Sequence, residues 1–129
     1  MKMMRDIALR AVLGVASVIG LAQTGMADTR LIMVEEPGCA YCAAWLDEIG
    51  PVYPNTDEGR FAPLLRADLS DGPPEGVSYA RKVVYTPTFV LIDDGKEIAR
   101  LEGYPGENFF WPMLQEMLVA SPEFKPSGS

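Results

Sequence analysis

The chain has no histidine among its 129 residues. That removes Ser-His and Cys-His nucleophile pairs and every imidazole-ligated metal site. Cysteine is nearly as scarce, with only Cys39 and Cys42. Basic residues are few, 11 against 18 acidic ones, and the net charge is −7. A surface of that sign is a poor partner for nucleic acid or an anionic membrane. Long apolar runs are also missing. The longest apolar stretch, Ala11–Ala22, falls short of the roughly 20 residues a bilayer span needs.

That stretch is expected to be the core of an export signal. Lys2, Arg5 and Arg10 precede it, and Gly25-Met26-Ala27 follows with small residues at the positions a signal peptidase reads. Residues 1–27 are therefore expected to be a signal peptide cleaved after Ala27, which implies export. Residues 28–121 then form one domain, and residues 122–129 a flexible C-terminal tail.

What is present centres on Glu35-Glu36-Pro37-Gly38-Cys39-Ala40-Tyr41-Cys42. The apolar run Leu31-Ile32-Met33-Val34 leads in and reads as a strand buried on both faces. A helix-like run, Ala43 to Glu48, leads out. Cys39 then starts a helix, where free N–H groups and the helix dipole favour a thiolate, the nucleophile of disulfide exchange. Cys42, one turn further in, is shielded and close enough for a disulfide.

Gly50-Pro51 and Tyr53 to Gly59 mark a turn-rich connection to a second strand near Leu64–Leu69. Gly76 to Val84 reads equally as a short helix or an irregular connector. Thr86 to Ile92 is a strand entered through a proline, Asp93-Asp94-Gly95 a hairpin turn, and Lys96 to Leu101 the return strand. A final helix carries Phe109, Phe110, Met113, Leu114, Met117 and Leu118 on one apolar face, with Pro112 near its start. Met113 and Met117 are read as core packing rather than a soft-metal pair. The order β-α-β-(α)-β-β-α is α/β: a four-stranded mixed sheet with flanking helices.

Cys39-Ala40-Tyr41-Cys42 together with Tyr85-Thr86-Pro87-Thr88-Phe89 resembles the thioredoxin superfamily. Ile49-Gly50-Pro51-Val52-Tyr53-Pro54, Thr56-Asp57-Glu58-Gly59 and Glu102 to Trp111 narrow the resemblance to exported thioredoxins of bacterial sulfur-oxidation (Sox) systems. The resemblance implies a thioredoxin-like fold and a redox-active Cys39–Cys42 pair with no other cofactor. It implies a cis bond at Thr86-Pro87, with the Thr86 backbone free to pair with an extended substrate. Ala40 and Tyr41, between the cysteines, tune the potential and border the substrate. It further implies a client protein with an accessible disulfide or cysteine, and a membrane electron donor for re-reduction.

The chain departs from cytosolic thioredoxins at Met33, which stands where they carry a buried acid. Glu35 and Glu36 are the remaining acid–base candidates for Cys42, with Glu36 favoured by position. Three rivals stay open: a cytochrome-maturation reductase, an exported domain with a merely structural disulfide, and a C-x-x-C carrier of a soft metal.

Overall fold

The structure is a computed structural model and describes residues 28–126. The expected signal segment and its cleavage site lie outside the described residues, as do residues 127–129.

Four strands form one mixed sheet: β1 (Thr29–Glu35), β2 (Leu64–Asp68), β3 (Thr88–Asp93) and β4 (Lys96–Glu102), in the order β2-β1-β3-β4. β1 runs parallel to β2 and antiparallel to β3, and β3 antiparallel to β4. The continuous apolar run places β1 centrally, since only a strand covered on both faces buries every residue of such a run. Leu31, Ile32, Met33 and Val34 are each at most 1% exposed.

Period-two alternation splits the core. Leu31 and Met33 join Phe89, Leu91 and Leu101 on one face, and Ile32 and Val34 join Val90, Ile92 and Val83 on the other. The first face is covered by α1 (Ala40–Glu48) and α3 (Glu107–Leu118). At their junction Trp45 packs on Phe89 and Phe110, with ring centroids 5.1 and 5.6 Å away.

Four details differ from the sequence expectation. The connection after α1 contains a further helix, α2 (Asp57–Phe61). Thr56 caps it by accepting from the Gly59 N–H at 3.0 Å, and Asp57 and Glu58 suit its positive end. Gly59 rests on the Tyr53 backbone; a Cβ there would lie 1.8 Å from the Tyr53 carbonyl oxygen. Of the two readings left open for Gly76 to Val84, the structure shows the irregular connector, with one bridge from Ser78 to Lys96.

In α3 the buried stripe is narrower than expected: Phe110, Leu114, Met117 and Leu118. Phe109 and Met113 lie on its flank and are 65% and 39% exposed. Pro112 sits inside α3 rather than near its start, on the exposed side of the helix, and removes one N–H donor from it. The packed unit also reaches beyond Ser121, because Phe124 is buried against Phe61 with ring centroids 5.2 Å apart.

Candidate functional site

β1 ends at Glu35, and the chain turns through Pro37 and Gly38, whose φ of +79° is a glycine conformation. The turn delivers Cys39 as the N-cap of α1, where its sulfur accepts from the Cys42 N–H at 3.1 Å. The helix end thus directs an N–H dipole at the sulfur that would carry negative charge. Cys39 and Cys42 form a disulfide with Cα atoms 5.2 Å apart. They are not equivalent: Cys39 is partly exposed, whereas Cys42 is 3% exposed and belongs to the core.

The second strand-end loop meets the first. The Thr86–Pro87 peptide bond is cis, Pro87 is buried, and the Thr86 hydroxyl donates to Glu36 Oε1 at 2.8 Å. Two further bonds fix this loop. Thr88 donates its hydroxyl to the Tyr85 carbonyl at 2.6 Å, and the Gly103 N–H donates to the Pro87 carbonyl at 2.7 Å. The structure therefore brings Cys39, Cys42, Glu36, Thr86 and Pro87 to one end of the sheet.

The two acidic candidates have separate surroundings. Glu35 is held by a fork from Arg66, with both N–O distances at 2.6 Å. Glu36 holds Thr86, and both carboxylates line one shallow depression of about 380 Å³ with Cys39 and Cys42. Met33 is fully buried, so that position of β1 places no carboxylate in the core.

An apolar rim surrounds the sulfurs. Tyr41 and Tyr85 are 66% and 61% exposed. Tyr41 shares a second depression, of about 360 Å³, with Gly103, Tyr104, Pro105 and Met113. The role of Met113 on this rim escaped the sequence reading, which counted it as core. Its place on the flank of the heptad-like stripe was the available signal. Tyr104 donates its hydroxyl to Glu48, which ties the loop after β4 to the end of α1. Burial first, and then that bond to a carboxylate, pushes the Tyr104 phenol well above its ordinary range. Among the described residues no three Cys, Asp or Glu side chains converge as metal ligands.

A strand-ending C-x-x-C at a helix start, faced by an X-Pro loop on a four-stranded mixed sheet, defines a thiol–disulfide oxidoreductase of the thioredoxin class. The family model described as a thioredoxin-like domain matches residues 22–118, and the chain belongs to that family. Among solved structures it is similar to the periplasmic thioredoxin SoxS from Paracoccus pantotrophus, determined in its reduced form. That match has 55% identity and a TM-score of 0.70, and covers 71% of this chain and 97% of that one. Thioredoxins from Fasciola hepatica and Malassezia sympodialis are remote matches at 17% identity each. Their TM-scores are 0.48 and 0.47; they cover 69% and 70% of this chain and 80% and 75% of their own. No curated protein sequence matches the chain.

Proposed function

We propose that the protein is a periplasmic thioredoxin that reduces disulfides in a client protein of a sulfur-oxidation system. The observation that carries the reading is the asymmetry of the pair: a partly exposed Cys39 capping α1 and a buried Cys42 behind it. The 55% identity to a periplasmic SoxS supports the location and the system.

In the proposed cycle the Cys39 thiolate attacks one sulfur of a client disulfide and releases the other as a thiolate, which takes a proton. Cys42 then gives up its own proton and attacks Cys39, so the second client sulfur leaves and is protonated. Two electrons pass from the dithiol to the client, and the Cys39–Cys42 disulfide remains. Of the two protons the client takes up, one matches that released to solvent when Cys39 ionises and the other that released by Cys42. Glu36, which lines the depression with both cysteines and, unlike Glu35, is not held in an Arg66 fork, is the group we assign as acceptor of the Cys42 proton.

Thr86 and Pro87 present backbone to the client, and Ala40 and Tyr41 border it. Re-reduction falls to a membrane electron donor, since the bacterial periplasm is kept oxidising. In this reading residues 1–27 direct export and leave the domain after cleavage.

The direct test is single-turnover reduction of a glutathionylated peptide by the reduced domain. Release of one peptide thiol and one glutathione per disulfide formed at Cys39–Cys42 is expected. No transfer would remove the reading in favour of a structural disulfide.

A further inference from the structure

Between β2 and β3 the chain runs from Leu69 to Pro87 with one 3-10 turn and no longer helix. This connector covers the second face of the sheet and delivers Thr86 to Glu36, three residues before Cys39. Apolar packing alone does not hold it. A groove of about 670 Å³ opens beneath it, lined by Val34, Leu69, Tyr79, Val83 and Val84.

What does hold it comes from β4. The register shift at Leu91/Ile92 pairs Ile92 with Glu97 while Val90 pairs with Arg100, so Glu97 and Arg100 both face the connector. Their side chains are each only 4% exposed, and they form a forked ion pair at 2.6 and 2.9 Å. Each also grips connector backbone. Glu97 accepts from the Ala80 N–H at 2.6 Å, and Arg100 donates to the Arg81 and Lys82 carbonyls at 2.8 and 3.4 Å. Four residues beyond Lys82 is Thr86.

A buried ion pair is a weak source of stability, because desolvation offsets most of its attraction. Its geometry is more informative. A guanidinium fork fixes several acceptors in one plane, which suits it to setting a backbone position.

We propose that Glu97 and Arg100 are positioning residues for disulfide exchange: through the connector they set where Thr86 stands opposite Cys39. This rests on the proposed exchange function. Neither residue touches the sulfurs, so their effect is expected only on substrates long enough to pair with the Thr86 backbone.

The experiment compares two probes in the reduced domain, a glutathionylated extended peptide and the small aromatic disulfide dithiobis(nitrobenzoate). Replacing both residues, Glu97→Met with Arg100→Met, leaves no orphaned buried charge, so the urea midpoint should match or exceed the parent's. The peptide rate is expected to fall about tenfold to a hundredfold, as for a misplaced binding element. The rate with the small disulfide and the reduction potential should stay at parent values. A stable double variant with the parent peptide rate overturns the proposal, and so does an equal fall with both probes.

If that variant does not fold, Arg100→Lys keeps the charge and loses the fork, and the same split between probes is expected. A parent-like peptide rate in Arg100→Lys overturns the proposal. A parent protein that transfers electrons to neither probe instead overturns the function reading beneath it.

Discussion

The Thr86 hydroxyl donates to the Glu36 carboxylate at 2.8 Å, joining loops 50 residues apart in sequence. One loop leads to Cys39 and the other to β3, so this bond sets the width of the cleft a substrate would enter. A double-mutant cycle with Glu36→Ala and Thr86→Val is expected to give a coupling of about 1 kcal/mol in urea unfolding. Additive single effects would mean the bond contributes nothing in solution.

The exposure difference between the two sulfurs sets their order of reaction. Cys42→Ala is expected to accumulate a stable mixed disulfide between Cys39 and a glutathionylated peptide, visible by intact mass. Cys39→Ala is expected to accumulate none, because the buried Cys42 is 3% exposed. Equal trapping by both variants would remove the assigned roles.

The packing of Phe124 on Phe61 makes the end of the described chain part of the core. Phe124→Ala is expected to lower unfolding stability by about 3 kcal/mol, in line with other buried aromatic truncations. An unchanged urea midpoint would return this segment to the frayed tail first expected of it.

Glu97 gives the stability a distinct acid limb. Burial pushes its carboxyl up, but bonds from Arg100 and the Ala80 N–H outweigh this, helped by the charges of Arg100 and Arg81, and the net shift is downward. Its folded value thus lies below the ordinary 4.5. Its contribution is then complete above the unfolded value and is lost as the pH falls through the folded one. Glu97→Gln is expected to flatten that limb in urea midpoints measured against pH. An identical pH profile in the variant would show that Glu97 does not supply it.

Much of this was legible in the sequence because it rests on short-range pattern. The all-apolar β1, the Asp94-Gly95 turn with both φ values positive, and Cys39 at a helix start each follow from local residues. The rest depends on tertiary geometry. Helix α2 is short, and its Thr56 cap with two following acids was masked by neighbouring prolines and glycine. Met113 and Phe109 carry core-type side chains, yet the helix leaves both outside the core, Met113 on the rim. The Glu97–Arg100 pair could not be read from the letters. Strict alternation puts those residues on opposite faces, and only the bulge in β4 unites them.

The central claim is that the Cys39–Cys42 pair works as a reductant. Its reduction potential, measured by equilibrating the domain against defined thiol–disulfide buffers, tests that most directly. The reference scale runs from about −270 mV for thioredoxin to about −120 mV for a strong oxidant, a gap of roughly 7 kcal/mol for two electrons. A value near the thioredoxin end is expected, since a dithiol poised there passes its electrons to client disulfides. A value near the oxidant end would contradict the claim and make the protein a donor of disulfides.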